Sequence, residues 1–484
     1  LCRNHFHITL LLPGYPTQLG GWMRTADEVA REDLLTFLNA AFASTGQAEF
    51  ASTAAEQHLA LDFLHEYVRG NYRRLYARLL ALGINDHNLA EIIRGLLATG
   101  RETPPDFRQE ENALIRAGVR RLPPQRFWKL TVRLRRDGVN NRRTRAVIRD
   151  WLTQHPDPVF QAVKYRRKVA GALRHIHLHP AGEMPDFLFG DHRSPFTTEM
   201  FDTYRQARFS QQAVTRLPYS VALGLAAKHG MDPDKLLERM KDRLSEKERL
   251  RVADRGPTVE LRPERLSLTE LTSWLLSRKD FGEQEQQWLE RAARAVLERS
   301  GPLGLSGRVA AVLDNSFSAT SSRERRGRPL AVAFAVDQLL RLGHSDYRGF
   351  WTSPQQGLPR PRGQSNLSER LLDALEWGAT TVLVISDGIE NDPAGAFQHI
   401  TKRLPSSIQV LHLNPVFDPE ELQVANLTSH ARAIGLHRAE DLPTALGFAR
   451  YVVGDGSLIE LETYLAKRVH HFIHEAPRTG GSHA

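Results

Sequence analysis

Cysteine is almost missing from this chain. A single one, Cys2, occurs in 484 residues, which excludes an internal disulfide framework and any cysteine-based zinc site. Such usage points to a reducing compartment, so a cytoplasmic location is expected. Long apolar runs are also missing, since none approaches the roughly 18 residues needed to span a bilayer. Ile8–Leu12 is apolar but short, and no small-residue cleavage site follows it, so neither a signal peptide nor a membrane anchor is expected. With 41% apolar and 25% charged residues, the chain has the composition of a soluble globular protein of several domains.

A third shortage is local. Between Arg120 and Arg174 only three acids occur (Asp137, Asp150 and Asp157) against 16 Lys or Arg, of which only Lys129, Lys164 and Lys168 are lysines. The formal charge of +9 is therefore unevenly spread: residues 301–484 hold 18 basic and 19 acidic side chains, and the excess lies before them.

Read in order, residues 1–25 are irregular, punctuated by Pro13, Gly14, Pro16, Gly20 and Gly21. Helical periodicity begins at Asp27, with Leu34, Leu35 and Leu38, and a second long helix is expected over Thr53–Leu82, closed by Gly83. Further helices are predicted at 88–98, 109–121, 125–136, 140–154, 158–170, 199–215, 218–229, 232–253, 267–278 and 282–299. No clean repeat period emerges, so the expectation is an all-α solenoid or ring of helical hairpins over 26–300.

From residue 308 the pattern alternates. Val309–Leu313 is a short apolar run of the kind that forms a strand covered on both faces. A helix near Arg328–Leu342, a strand at Tyr347–Trp351 and a Pro/Gly-rich loop over Thr352–Gln364 follow. Helix Leu367–Trp377, strand Thr381–Ile385, helix Pro393–Leu404 and strand Ile408–Leu413 continue the alternation, and helices at Leu442–Val453 and Leu458–Phe472 end it. This predicts an α/β domain over 301–484 with a mostly parallel sheet.

In such sheets ligands bind beyond the carboxyl ends of the strands. Asp314, Ser316 and Ser318 stand there after the first strand, Asp387 after Val382–Ile385, and Ser365 on the loop before a helix. Two carboxylates and three hydroxyls make a hard-oxygen set suited to Mg²⁺ or another divalent cation, with waters completing the shell. The competing reading is that the aspartates are turn and cap residues. Residues 308–455 resemble a von Willebrand factor A domain, whose metal-ion-dependent adhesion site these five positions match. That family usually has Thr in the second loop, where this chain has Ser365, which keeps the hydroxyl, with Asn366 as the alternative to it. The resemblance implies a Rossmann-like domain whose metal captures a partner's carboxylate without catalysis.

The arginine-rich window has the electrostatic footprint of a phosphate-binding surface, and arginine grips phosphate oxygens in pairs. Phe127, Trp128, Trp151, Phe160 and Tyr165 lie within it, each read as core before stacking platform. Phe42–Gln47 through Glu56-Gln57, Ala162–Arg166 and the His-rich Arg174–Pro180 are similar to stretches of the TROVE module of Ro autoantigen ribonucleoproteins. That resemblance implies a ring of HEAT-like helical repeats that binds small non-coding RNA and single-stranded RNA ends, closed by an A domain. Lys164, Arg166 and one of His175 or His179 are the contacts it implies. Arg133, Arg135, Arg136, Arg142, Arg143, Arg145 and Arg167 join them on charge. The histidines also admit a strand-like alternation around Ile176 and Leu178, or a zinc site from His175, His177 and His179.

The resulting expectation is a non-enzymatic RNA-binding protein with a metal-dependent A domain for a protein partner. The alternative is an adaptor acting through the A domain alone. A metal-dependent nuclease ranks last, because no His–carboxylate pair or phosphate loop stands beside the site.

Overall fold

The computed structural model describes residues 25–49, 52–254, 259–278, 280–320, 327–355, 357–391, 393–453 and 457–474. Cys2, the Ile8–Leu12 run and all of the 1–25 segment but its last residue lie outside them.

Helix α1 (Ala26–Ala43) opens with a reciprocal capping box, Glu28 N–H donating to Thr25 and Thr25 N–H to Glu28, and α2 (Ala54–Asn71) repeats it with Thr53 and Glu56. The single helix expected over Thr53–Leu82 breaks at Tyr72, before α3 (Arg73–Arg78) and a 3₁₀ turn at Leu79–Leu82. The cause is Asp33 on α1, whose Oδ2 accepts from Tyr67 at 2.8 Å and from Tyr72 at 2.6 Å. Residues five apart on a continuous helix point about 140° apart, so both hydroxyls reach one carboxylate only if the helix turns. Gly83, at φ 77°, then ends the turn in the left-handed region.

Helices α4 (Asp86–Ala98), α5 (Arg108–Arg121), α6 (Pro124–Arg136), α7 (Arg142–Gln154), α8 (Pro158–Lys164) and α9 (Arg166–Ile176) follow. They pack pairwise, α4 on α5 and α6, and α9 on α6, α7 and α8. The 158–170 helix is thus two helices divided at Tyr165, and the second runs into the histidines. His177 ends it at φ 54°, so the strand-like alternation there is replaced by a helix end that buries Ile176. The predicted 199–215 and 232–253 helices are likewise interrupted, after Gln206 and Met240.

Strands β1 (Val309–Leu313), β2 (Tyr347–Trp351), β3 (Thr381–Ile385), β4 (Gln409–Asn414) and β5 (Ala433–Gly435) form one parallel sheet in the order β2-β1-β3-β4-β5. The fold is therefore an all-α region followed by an α/β domain. Every residue of β1 and β3 is buried. Ala310, Val312, Val382 and Val384 pack under helix Leu367–Glu376. Ala311, Leu313, Leu383 and Ile385 join a core that continues without interruption into the helical region.

The sheet domain holds that region at both ends. At β5, the Asn39 side chain of α1 pairs with the edge, accepting from Gly435 N–H (3.2 Å) and donating to Ala433 O (3.1 Å). At the other end, helices Leu268–Ser277 and Glu283–Ser300 pack on helix Arg328–Gly343. The Glu440 carboxylate accepts from Thr269 N–H and Oγ1, and Arg360 donates to Leu276 O at 2.7 Å.

Candidate metal centre and basic face

The register of β1 on β3 sets Leu313 beside Ile385, so the residues after each strand emerge side by side at the carboxyl edge. Asp314 and Asp387 are both buried there. Asp314 Oδ1 accepts from Ser316 N–H at 2.8 Å, and Asp387 Oδ1 from Ile389 N–H at 3.0 Å. Ser316 Oγ lies 2.9 Å from Ser318 Oγ and accepts from Ser365 Oγ at 3.0 Å. All five predicted oxygen donors are thereby brought to one edge, with the Ser318 hydroxyl near enough to the Asp387 carboxylate to favour its ionised form.

Each aspartate keeps one oxygen without a partner: Asp314 Oδ2 and Asp387 Oδ2 are buried and accept no hydrogen bond. Burial and the neighbouring Asp387 push Asp314 up to about 6, and burial also raises Asp387 against the opposing influence of the Ser318 hydroxyl. Buried, unpartnered carboxylate oxygens are costly unless a cation or proton meets them. The donor set therefore fits a hard divalent ion.

Asn366, the substitute ligand, is committed elsewhere: its Oδ1 caps helix Leu367–Glu376 by accepting from Glu369 N–H. Two supporting residues escaped the sequence reading. The buried Asn315 ties the loops together, its Oδ1 accepting from Thr352 Oγ1 (2.8 Å) and Ser353 N–H (2.9 Å) and its Nδ2 donating to Arg360 O. Asn414 Nδ2 holds Asp387 O at 3.0 Å. Only the D-N-S order after β1 hinted at the first, and nothing local marked the second.

The arginine-rich window divides into structural and exposed cations. Arg133 pairs with Glu91, and Arg143 lies 2.8 Å from Glu111. Arg166 donates to Phe187 O and Leu188 O. His175 faces Val139 O at 2.9 Å. These four are anchors within the fold. Arg136 (3.5 Å from Asp137), Arg135, Arg142, Arg145, Arg167 and His179 are exposed, and Lys164 is half-buried over the Phe160 ring. Within 120–174 Arg133, Arg136, Arg143 and Arg149 pair with carboxylates of described residues. Burial, and then the charges of Arg126 and Lys168, lowers the pKa of Lys129. Phe127, Trp128 and Trp151 pack together in the core, so they are unavailable for stacking. Among the described residues no three His, Cys, Asp or Glu gather as a metal site, which removes the three-histidine zinc reading.

No family model matches the sequence, and no curated protein matches it. Among solved structures, the chain is similar to the crystal structure of the Deinococcus radiodurans RO (RSR) protein. The identity is 14% and the TM-score 0.47, over 90% of this chain and 95% of that one. Among the described residues no helix is long and apolar enough to cross a membrane.

Proposed function

We propose that the chain is a non-enzymatic RNA-binding protein of the Ro-like kind, gripping small non-coding or single-stranded RNA on the α6–α9 face. In this reading its A domain carries a divalent ion for a protein partner. The observation that carries it is the set of exposed cations without carboxylate partners: Arg135, Arg142, Arg145 and Arg167. Cations without internal counter-charges are satisfied by polyanions, and counterion release makes that binding strong and salt-dependent. Asp314, Ser316, Ser318, Ser365 and Asp387 would hold Mg²⁺. Bound there, the ion supplies a Lewis-acidic position for a partner's carboxylate.

The test neutralises only exposed cations. Arg135, Arg136, Arg142, Arg145 and Arg167 changed together to Gln leave Arg133, Arg143 and Arg166 to hold the helices. Binding of a single-stranded RNA oligonucleotide at physiological salt is expected to disappear with an unchanged far-UV CD spectrum. The wild-type salt slope should fall by about 0.7 for each phosphate contact removed. Undiminished binding would refute the assignment of this face. The adaptor reading instead predicts partners that survive nuclease treatment and depend on Asp314.

A further inference from the structure

Helix α2 is apolar on two faces. Leu61, Leu64 and Val68 are buried. On the opposite side Glu56, Leu59, Phe63 and Glu66, spaced i, i+3, i+7 and i+10, share one exposed face. Leu59 is 74% and Phe63 43% exposed. Scattered exposed apolar residues are ordinary on a protein surface, but these two line a groove of about 480 Å³. Ala60 of the same helix and Pro419 and Leu422 of the β4–β5 loop complete its apolar lining, with Glu56 and Glu420 as its acidic members. Both walls are fixed. Gln57 Nε2 donates to Phe417 O at 3.0 Å, both residues being buried, which pins the loop to α2. Within the loop Asp418 and Gln423 exchange backbone bonds at 2.8 and 3.2 Å, and Asp418 Oδ1 accepts from Glu420 N–H at 2.9 Å. The groove is therefore formed before anything binds, which lowers the cost of binding.

Charge sets the groove apart from the rest of the chain. The two segments that wall it, 54–68 and 416–423, carry Glu56, Asp62, Glu66, Asp418, Glu420 and Glu421 and no Lys or Arg, in a protein of net charge +9. Asp62 faces Arg94 of α4, while Glu56, Glu66, Glu420 and Glu421 are exposed. We propose that the groove docks a basic amphipathic segment of a protein partner. Aliphatic or aromatic side chains at helical spacing enter between Leu59, Phe63 and Leu422, and flanking Lys or Arg meet Glu56 and Glu420. Apolar anchors in a formed groove supply the affinity, and the rim charges the choice of partner. This needs neither the RNA reading nor the metal reading. Acidic walls repel RNA phosphates. A second copy fits poorly as well, since a symmetric contact would set Glu56 and Glu420 against their own counterparts.

The full chain should be used to select a random phage-displayed peptide library, and each enriched family titrated as a free peptide by fluorescence anisotropy. One family is expected to combine Leu, Ile, Met or Phe at i, i+3 or i+4 with a net positive charge. Its peptide should bind Leu59→Lys at least about tenfold more weakly than wild type. Glu420→Lys should weaken it about threefold at low salt, and less as salt rises. Both positions are exposed, so each variant should keep the wild-type urea midpoint. Absence of a family both apolar and basic, or a basic peptide whose affinity Leu59→Lys leaves intact, would overturn the proposal. So would wild-type dimers in sedimentation that Leu59→Lys dissociates, since a second copy would then be the occupant.

Discussion

Glu49 and Arg328 make the sharpest test of how the two regions are held together. Arg328 begins the first helix after β1, and Glu49 lies between α1 and α2, yet their side chains are only 3% and 6% exposed. Arg328 Nη2 lies 2.6 Å from both Glu49 oxygens and 2.7 Å from Pro415 O, while Nη1 donates to His437 O at 3.2 Å. Removing one partner leaves the other charge buried and unpaired, which costs about 3–5 kcal/mol. Glu49→Ala and Arg328→Met should each lower stability by that amount. Removing both charges eliminates the unpaired ion, and what remains is the loss of donors to two buried carbonyls, each about 1–3 kcal/mol. The Glu49→Leu/Arg328→Met double variant should therefore lie about 2–6 kcal/mol below wild type, a smaller loss than the roughly 6–10 kcal/mol sum of the single losses. Urea unfolding followed by tryptophan fluorescence measures all four proteins. Single costs under about 1 kcal/mol, or a double cost equal to the sum of the singles, would refute a desolvated, coupled pair.

Two more outcomes follow from packed positions. Burial of His65 between Tyr76 and Asn88 lowers its pKa from 6.5 to about 4. Because the folded form binds fewer protons, its stabilising contribution is present above pH 6.5 and lost as pH falls through 4, about 3 kcal/mol in all. The urea midpoint of His65→Gln should fall less over that window than wild type, and parallel curves would exclude His65 as the source. At β5, a Cβ on Gly435 would lie 2.2 Å from Asn39 O and 3.0 Å from Ala43 N. Gly435→Ala should cost at least about 1–3 kcal/mol through displacement of α1, seen as faster proteolysis between α1 and α2, and an unchanged digestion pattern would refute it.

What the sequence by itself determined was what lies close in the chain or repeats with a period. The apolar runs at 309–313 and 381–385 fixed two buried strands, and the D-x-S-x-S spacing fixed three oxygen donors on one turn. Their meeting with Asp387 was legible because parallel strands deliver their carboxyl ends to one edge. Net charge marked the basic window just as locally. Only the tertiary structure decided which arginines are exposed, since Arg133, Arg143 and Arg166 differ from Arg135, Arg142 and Arg167 only in the distant Glu91, Glu111 and Phe187 that face them. The break at Tyr72 likewise required Asp33, and β5, three residues long, became a strand because α1 and Asn39 close its edge. Such contacts join residues tens to hundreds of positions apart, and no pattern of neighbours along the chain encodes which of them will meet.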